Sequence, residues 1–309
     1  MRKTGNFEDI ARFFLCLLKL VRYTKNIMKG NVIVIIGGQY GSEAKGKVIS
    51  FLANEFDIAV RTGSPNAGHT VFKGDEVFRL QQIPATFLNE KCILCIGAGG
   101  LINPNVLRNE VEITKTRGRL FIDQQAGIIE EKHLSEEGEL VEKIGSTGKG
   151  CGAALSARIW RKDFTLAKDV LKDFQLDDVA RIINQGIDNG KNILVEGTQG
   201  YGLSLYHGSY PYVTSRDTNA ANFLAEVGIS PMLVTDIILV IRTYPIRVAG
   251  NSGPLLHEIT WEELSHRIGK HVEEKTTVTR KVRRVAEFDI ELVRKAILIN
   301  RPTQIALQF

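Results

Sequence analysis

Short apolar runs alternate with glycine-rich turns and with longer stretches of helical spacing along most of the chain. The first run, residues 32–37, is rich in β-branched side chains and predicts a buried strand, and the turn after it leads into a predicted helix at 48–53. Similar runs predict further strands at 58–61, 92–96, 120–122, 192–195, 236–242 and 305–309. Apolar residues three and four apart predict helices at 106–115, 176–187 and 289–299, and a turn at Gly74 and Asp75 predicts a hairpin of 70–72 with 76–80.

The alternation of strands and helices predicts an α/β fold. We expect a mostly parallel central sheet, like that of P-loop nucleotide-binding proteins, with flanking helices and small hairpin insertions. In such sheets the loops at the carboxyl ends of the strands build the binding site. The loops after the strands at 32–37, 58–61 and 192–195 are polar and rich in glycine. The sequence therefore predicts a functional site at this edge of the sheet.

The loop after the first strand fits most of a phosphate-binding pattern. Gly41, Gly46 and Lys47 match the first seven positions of G-x-x-x-x-G-K, but the eighth position, Ser or Thr in that pattern, is Val48. A strand, a glycine turn and a helix N-terminus together present backbone N–H groups to a phosphate. The alternative interpretation is an ordinary glycine-rich connector. The loop therefore indicates phosphate binding of unusual form.

Composition narrows the class of protein. With 309 residues, 43% hydrophobic and 24% charged, the chain is typical of a soluble globular protein of one large or two modest domains. The formal net charge is +5, and the basic residues are spread along the chain. This balance suits a phosphate-bearing small molecule, whereas no arginine-rich arm or aromatic platform indicates a nucleic-acid partner.

The cysteines predict buried thiols. Cys92 and Cys95 form a C-x-x-C pair inside an apolar strand, where residues three apart point to opposite faces. Cys16 and Cys151 lie far apart, and no second pair stands at zinc spacing. We therefore expect free core thiols in a reducing compartment.

Residues 1–29 are expected to be an N-terminal extension. Their apolar run at 13–21 is too short to span a bilayer and has no small-residue cleavage site, which argues against a signal peptide. It could form a short amphipathic helix on a partner or membrane surface. We favour the other alternative, in which the folded unit begins near Met28, itself a potential start site, and the extension is either native or not. We expect a cytoplasmic protein without membrane contact.

Six segments, taken in order, resemble the signature motifs of adenylosuccinate synthetases: 38–47, 66–70, 145–150, 196–200, 207–214 and 276–284. The match extends over roughly 30–307 and implies that residues 30–309 form one domain of this family. The resemblance implies a ligase that joins L-aspartate to C6 of a purine nucleoside monophosphate, using a nucleoside triphosphate and Mg²⁺. The γ-phosphate goes first to the purine 6-oxygen, and the aspartate amine then displaces it.

The resemblance also assigns site residues to groups. The catalytic group is Ser42, Lys45 and His69. The triphosphate group is Gly41, Ser42, Glu43, Ala44, Lys45, Gly46, Lys47, Gly68, His69, Thr70 and Arg283. The nucleoside monophosphate group is Ser42, Asn66, Ala67, Ser146, Thr147, Arg161, Gln199 and Thr214. The aspartate group is Thr277, Val278, Thr279, Arg280, Lys281, Val282 and Arg283, and Mg²⁺ is expected at Ser42 and at the backbone of Gly68.

These residue types suit the implied chemistry. The two lysines and the backbone of the glycine loop can neutralise triphosphate charge, because phosphoryl transfer depends mostly on positioning and electrostatics. His69 can donate a proton or a hydrogen bond to the 6-oxygen, and Arg283 can offer a bidentate fork to the aspartate carboxylates. The family also implies a homodimer in which an arginine reaches the neighbouring subunit's nucleotide. Family spacing favours Arg161, and Arg158 remains an alternative.

Ser42 departs from the common family pattern Gly-Asp-Glu-Gly-Lys. The family's aspartate takes the N1 proton from IMP and binds Mg²⁺, and a serine hydroxyl is not an equivalent base near neutral pH. Serine here resembles a branch from certain bacteriophages and some archaea that makes N6-succino-2-amino-2′-deoxyadenylate from dGMP. A smaller side chain leaves room for the 2-amino group and could accept its hydrogen bond. We therefore predict dGMP as substrate, with Glu43 or a water as proton acceptor.

The end of the chain is the second departure. Residues 305–309 lie where common synthetases begin a Thr-Lys-Leu-Asp segment that reads the guanine of GTP. ATP or dATP is therefore expected at least as readily as GTP, and we expect a domain that is incomplete at its C-terminus. The alternatives to the dGMP ligase are an ordinary synthetase acting on IMP with GTP and a non-catalytic nucleotide-binding relative.

Overall fold

The protein's structure is a computed structural model that describes residues 30–275 and 281–308. The predictions for residues 1–29, for Thr277, Val278, Thr279 and Arg280, and for Phe309 lie outside these residues. The strands are β1 Val32–Gly37, β2 Ile58–Arg61, β3 His69–Lys73, β4 Glu76–Leu80, β5 Ile93–Ile96, β6 Leu101–Ile102, β7 Leu120–Asp123, β8 Gly127–Ile128, β9 Gln175–Asp177, β10 Ile193–Glu196, β11 Asp236–Arg242, β12 Ile246–Arg247, β13 Glu258–Ile259, β14 Arg284–Ala286 and β15 Gln304–Gln308. The α-helices are α1 Lys45–Phe51, α2 Pro104–Thr114, α3 Glu131–Glu136, α4 Gly138–Ile144, α5 Cys151–Trp160, α6 Ala167–Val170, α7 Val179–Asp188, α8 Ala220–Val227, α9 Trp261–Ile268 and α10 Ile290–Asn300.

Eight parallel strands form the central sheet, in the order β15-β11-β1-β10-β2-β5-β7-β9. β1 lies between β11 and β10, and β2 lies on the other side of β10. Because these strands run in the same direction, the loops that leave their carboxyl ends meet at one edge of the sheet. The structure confirms the predicted α/β fold and brings the three polar loops of the sequence together.

Both faces of the sheet are buried. Alternate residues of β1 divide between two apolar clusters, so that Ile35 packs into one cluster and Val34 and Ile36 pack into the other. This two-sided burial explains why the strand has a continuous apolar sequence rather than an alternating one. Across the described residues, none of the helices is both long and apolar enough to cross a membrane.

The described cysteines are free and buried, as predicted. Cys92 packs into one of the two apolar clusters and Cys95 into the other, which confirms that they point to opposite faces. Burial raises the pKa of the Cys92 thiol to about 11 and raises that of Cys95 further. Both thiols therefore stay protonated and act as apolar core side chains.

Smaller strand pairs are added to the central sheet. β3 and β4 form the predicted hairpin, and β6 pairs with β8. Beyond β11, the strands β12, β14 and β13 form an antiparallel sheet, and Leu264 of α9 packs with Ile246 and Val285 of that sheet. β14 begins directly after Arg283, which contacts Ser42 of the glycine loop.

Two predicted helix starts were wrong. α1 begins at Lys45 rather than at residue 48. Its first turn contains Gly46, which lies on the buried face, where a Cβ would come within 2.7 Å of the Thr70 carbonyl oxygen. α7 begins after Asp178, whose side chain accepts a hydrogen bond from the Arg181 amide, whereas Leu176 belongs to β9. In α1 the glycine lacks an apolar side chain, so the helical spacing of apolar residues is not visible in the first turn. In α7 the apolar residue Leu176 of the preceding strand falls at helical spacing and extends the apparent pattern.

Candidate active site

The glycine loop between β1 and α1 closes around a buried ion pair. Lys45 Nζ lies 2.8 Å from Glu43 Oε2, and both side chains are at most 1% exposed. Glu43 Oε1 accepts hydrogen bonds from the amides of Gln39 at 2.9 Å and Gly41 at 2.8 Å. Lys45 Nζ also donates to the Gln199 carbonyl oxygen at 2.5 Å. This pair therefore fixes the curvature of the loop and ties it to the loop after β10.

The glycine loop exposes Ala44 and the cationic side chain of Lys47 to solvent. Ala44 precedes α1 in the left-handed region, with φ 64° and ψ 36°, and is exposed. Lys47, in the first turn of α1, is exposed too, whereas the ammonium group of Lys45 points inward. Of the two predicted phosphate-binding lysines, only Lys47 therefore faces solvent in this structure.

His69 is held at the start of β3 by a carboxylate of β10. Its Nδ1 lies 2.6 Å from Glu196 Oε1, and Arg61 contacts the same oxygen through NH1 at 2.9 Å. The other carboxylate oxygen, Oε2, accepts the Ala85 amide at 2.7 Å. Although burial opposes ionisation, the charge of Arg61 and the His69 hydrogen bond lower the pKa of Glu196. An ionised Glu196 therefore fixes the orientation of the imidazole.

The imidazole is neutral in the isolated protein. Burial, together with the charge of Arg61, lowers the pKa of His69 to about 4, and Glu196 only partly offsets this. A neutral ring that donates from Nδ1 to Glu196 leaves Nε2 as an acceptor, and Nε2 is buried without a partner among the described residues. The ring thus has one atom that is free for a ligand.

Other buried polar atoms in the same region also lack a partner within residues 30–275 and 281–308: Asn66 Oδ1, Thr198 Oγ1 and Gln199 Oε1. A buried polar atom without a hydrogen bond costs about 1–3 kcal/mol. These atoms belong to the loops after β2 and β10, which are neighbours in the sheet. Gln199 Nε2 contacts Thr214 Oγ1 at 2.6 Å, which brings another predicted nucleotide residue to the same place. The arrangement is suited to a polar ligand.

Ser42 is the meeting point of two arginines. Arg283 NH1 donates to Ser42 Oγ at 2.6 Å, and Arg242 NH1 donates to the Ser42 carbonyl oxygen at 3.1 Å. Arg242 also forms a bidentate ion pair with Glu274, with distances of 2.5 and 3.1 Å. The structure thus brings a residue of the predicted aspartate group into contact with the predicted catalytic loop. Of the other described members of that group, Lys281 and Val282 are exposed.

The second glycine-rich stretch lies between α4 and α5. Ser146 is half-buried and Thr147 is exposed. Arg158 is engaged within its own chain, because its NH1 donates to the Ala98 carbonyl oxygen at 3.0 Å and its guanidinium lies over Phe164. Arg161 ends α5, and its side chain is exposed. The structure therefore does not bring Ser146, Thr147 or Arg161 into hydrogen-bond contact with the His69 or Ser42 clusters.

The described residues offer little for a protein-only metal cage. No group of three or more His, Cys, Asp or Glu side chains gathers in the described ranges. The predicted ligands are neutral oxygens, the half-buried hydroxyl of Ser42 and the backbone of exposed Gly68. Such a donor set fits Mg²⁺ that takes its remaining ligands from phosphate and water, as this ion usually does.

Four residues of this site are absent from the sequence-based assignment: Arg61, Glu196, Arg242 and Glu274. Three of them share a recognisable signal, because Arg61, Glu196 and Arg242 are each the charged last residue of an apolar strand. A charge at that position points into the loops that follow the strand. Glu274 gives no comparable signal.

A cavity of about 870 Å³ opens beside the Arg242–Glu274 pair. Its lining includes the aromatic residues Tyr244 and Trp261 and the charged residue Lys270. The cavity therefore adjoins the Ser42 cluster without containing it.

Comparisons with known proteins assign the family. The family model for adenylosuccinate synthetase matches residues 34–176 and 165–309. The adenylosuccinate synthetase of Methanocaldococcus jannaschii is 45% identical over 294 residues, which are 92% of this chain and 83% of that protein. Cyanophage S-2L succinoaminodeoxyadenylate synthetase, solved with dGMP and dATP as an energy donor, is similar with a TM-score of 0.82 and 29% identity, over 90% of this chain and 84% of that one. Fully ligated adenylosuccinate synthetase from Plasmodium falciparum also has a TM-score of 0.82, with 26% identity over 90% of this chain and 76% of that one. The chain belongs to the adenylosuccinate synthetase family, and it is a C–N bond-forming ligase of purine biosynthesis.

Proposed function

We propose that this ligase joins L-aspartate to C6 of dGMP, forming N6-succino-2-amino-2′-deoxyadenylate at the expense of ATP or dATP. The observation that carries this proposal is the state of the glycine loop. Ser42 presents a hydroxyl, and the one carboxylate of the loop, Glu43, has its oxygens engaged by two backbone amides and Lys45. A small, uncharged side chain at position 42 leaves room for the 2-amino group, which dGMP has and IMP lacks.

A relative supports the same choice. The cyanophage synthetase, which matches this chain with a TM-score of 0.82, is described as bound to dGMP and dATP. The Ser42 hydroxyl could accept a hydrogen bond from the 2-amino group, which IMP lacks. Arg283 already donates to the same oxygen, and a hydroxyl oxygen has two lone pairs to accept with. Binding of dGMP and the Arg283 contact are therefore compatible.

In the first step the purine 6-oxygen attacks the γ-phosphorus, and the bond from that phosphorus to the bridging oxygen of the nucleoside diphosphate breaks. Lys47 and the loop amides bind the triphosphate. Because Glu43 is engaged, the N1 proton goes to water. Phosphate charge beside the ring raises the pKa of His69, so that a protonated Nε2 can donate to the 6-oxygen while Glu196 holds Nδ1. Mg²⁺ would be held by the Gly68 backbone together with phosphate and water oxygens and would neutralise phosphate charge, whereas the Ser42 hydroxyl, with both lone pairs used by Arg283 and the 2-amino group, would not be a ligand in this complex.

In the second step the aspartate amine attacks C6, the C6–oxygen bond breaks, and inorganic phosphate leaves with its oxygen while the amine loses a proton to solvent. Arg283 binds a carboxylate of the amino acid, as the forked guanidinium suits this partner. Asn66, Gln199 and Thr214 bind the monophosphate nucleotide, since their unpaired or exchangeable polar atoms lie in the neighbouring loops.

We also propose a cytoplasmic homodimer in which Arg161 reaches the partner's nucleotide. Arg161 is the better candidate than Arg158, because it is exposed whereas Arg158 bonds to the Ala98 carbonyl oxygen of its own chain. Ile159 and Trp160 next to it are also exposed, at 68% and 69%, which suits a contact surface.

A second candidate is the ordinary reaction on IMP. The observation in its favour is the 45% identity to the archaeal protein named adenylosuccinate synthetase, which exceeds the 29% identity to the cyanophage enzyme. Under this alternative a water would take the N1 proton in place of a carboxylate.

The test is a substrate matrix. Purified full-length protein, with Mg²⁺ and L-aspartate, is assayed for phosphate release and product absorbance on dGMP, GMP and IMP, each with ATP, dATP and GTP. The proposal expects the highest kcat/KM for dGMP with ATP or dATP. Turnover of IMP without turnover of dGMP would establish the second candidate instead. Binding of dGMP and ATP without any turnover would indicate a non-catalytic relative.

A further inference from the structure

Arg242 connects two loops that carry predicted substrate-binding residues. It is the last residue of β11, and its backbone is fixed to the glycine loop by the Gln39 side chain, which accepts the Arg242 amide at 2.9 Å and donates to its carbonyl oxygen at 3.0 Å. The guanidinium then donates to the Ser42 carbonyl oxygen at 3.1 Å and to Glu274. The arginine therefore belongs structurally to the glycine loop.

Glu274 belongs to the segment on the other side. Its carbonyl oxygen accepts the Arg283 amide at 2.8 Å, and the adjacent pair Lys275 and Val282 forms an antiparallel bridge. These contacts join Glu274 and Lys275 to Val282 and Arg283, two residues of the predicted aspartate group. The Arg242–Glu274 ion pair thus ties this pairing to the glycine loop.

We propose that Arg242 and Glu274, termed here the loop clamp, are positioning residues for L-aspartate. Through the backbone hydrogen bond between Glu274 and Arg283, the clamp holds Arg283 beside Ser42 and so places its guanidinium where the amino acid carboxylate must bind. The inference rests on the proposed function, in that L-aspartate is the co-substrate. It concerns residues that touch no substrate themselves and act through Arg283.

The second sheet does not hold Glu274 in the same way. It anchors the backbone from Arg284 onward, and the indole of Trp261 donates to the Arg283 carbonyl oxygen at 2.7 Å. Glu274 lies outside this sheet, and it lines the cavity of about 870 Å³ together with Arg242. Loss of the clamp would therefore release Glu274 and the Arg283 amide from the glycine loop while β14 and the fold persist.

The pair contributes little to global stability, because Glu274 is 41% exposed and exposed ion pairs are weak. Its geometry is nevertheless specific, since a planar guanidinium binds the carboxylate through two atoms and reaches a third acceptor on the glycine loop. A lysine at position 242 could contact either Glu274 or the Ser42 carbonyl oxygen, but not hold both in the same geometry.

The test compares Arg242→Ala, Arg242→Lys and Glu274→Gln with a matched control, Arg267→Ala. Arg267 forms an exposed ion pair of 2.7 Å with Glu287, and no hydrogen bond or ion pair joins it to the predicted site residues within the described part of the chain. Steady-state kinetics give kcat and the KM values for L-aspartate and for the nucleoside monophosphate, and thermal unfolding gives Tm.

We expect KM for L-aspartate to rise at least about ten-fold in Arg242→Ala and Glu274→Gln, with KM for the nucleotide changed less than about two-fold. Arg242→Lys should restore part of the loss, and Arg267→Ala should match the wild type. An unchanged KM for L-aspartate would overturn the proposal. A fall in kcat together with a rise in both KM values and a fall in Tm would also overturn it, because that pattern indicates a merely structural role.

A second measurement does not depend on turnover. The Arg283 amide, which donates to Glu274, should exchange with deuterium at least about ten-fold faster in Arg242→Ala than in Arg267→Ala. Equal exchange in the two variants would overturn the clamp even if the wild type is active on dGMP. Faster exchange in an enzyme without any turnover would retain the clamp and refute the proposed function, so the two failures are distinguishable.

Discussion

Arg283 donates a hydrogen bond of 2.6 Å to Ser42 Oγ across 241 positions of sequence. One partner comes from the segment predicted to bind L-aspartate and the other from the loop predicted to bind phosphate. The contact therefore joins the two predicted substrate-binding regions. It also means that a change at position 42 acts on this arginine directly.

Ser42→Asp should shift the enzyme toward IMP. A carboxylate at this position supplies a base for N1 and an ion-pair partner for Arg283, and it removes the space for the 2-amino group. We expect kcat/KM to rise about a hundred-fold for IMP and to fall at least ten-fold for dGMP, given the usual contribution of general base catalysis.

The control for this change is Ser42→Ala, which removes the hydroxyl and adds no carboxylate. It should lower activity on dGMP and gain nothing on IMP. If Ser42→Asp shows no gain on IMP over Ser42→Ala, position 42 does not decide the substrate.

His69 should make the protein less stable in mild acid. The pKa of its ring is about 4 in the folded protein and about 6.5 when unfolded, so the unfolded chain binds more protons between these values. Stability therefore rises with pH across this window, and between pH 7 and pH 5 this residue alone should cost about 2 kcal/mol.

Urea unfolding at the two pH values checks this expectation. In His69→Gln the difference between pH 7 and pH 5 should shrink by about 2 kcal/mol, whereas substitution of the exposed His257 by Gln should leave it as in the wild type. The same pH dependence in His69→Gln and the wild type would contradict a neutral, buried ring.

Ala44→Gly should stabilise the protein. Ala44 has a φ of 64°, where a Cβ is unfavourable, and the residue is exposed, so that no packing is lost. Relief of this strain should outweigh the added freedom of the unfolded chain and raise the free energy of unfolding by about 1 kcal/mol. Position 44 is glycine in the common family pattern, which the same physical argument explains.

The matched change for this test is Ala225→Gly on the exposed side of α8, which should destabilise by about 1 kcal/mol. Denaturant melts of the two variants should thus differ from the wild type in opposite directions. A loss of stability in both would show that Ala44 is not strained.

Arg161→Ala should remove activity from the partner's site, whereas Arg158→Ala should mainly affect stability, because Arg158 bonds within its own chain. Mixing inactive Arg161→Ala with inactive His69→Asn should restore about a quarter of wild-type activity, because half of the reassorted dimers would carry one intact site. No recovery after subunit exchange would argue against a shared site.

The sequence predicted the sheet well because the strands at its centre are buried on both faces and therefore continuously apolar, as in β1 and β11. It also predicted that the loops after β1, β2 and β10 meet, because parallel strands leave no other arrangement. Several shorter helices escaped the prediction. α9, for example, is eight residues long, and its start is defined by the reciprocal cap of Thr260 and Glu263.

The partners of the predicted site residues were not predictable from spacing. Glu196 lies 127 positions from His69, and only the pairing of β10 with β2 brings them together. The sequence also did not predict that the Lys45 side chain points inward. A lysine in a glycine loop indicates a phosphate ligand, and the local pattern does not show that Glu43 forms an ion pair with it. Long-range hydrogen bonds of this kind follow from the fold and not from local composition.

The position of Glu196 gives the two sides of the site different anchors. Its backbone is in register with Ile35 on one side and Arg61 on the other, so the carboxylate that holds His69 is fixed to the middle of the sheet. Arg283, by contrast, lies outside the central sheet and reaches Ser42 through a side-chain hydrogen bond. The imidazole is therefore the reference point of the site that the sheet itself sets, whereas the position of the guanidinium depends on contacts between side chains.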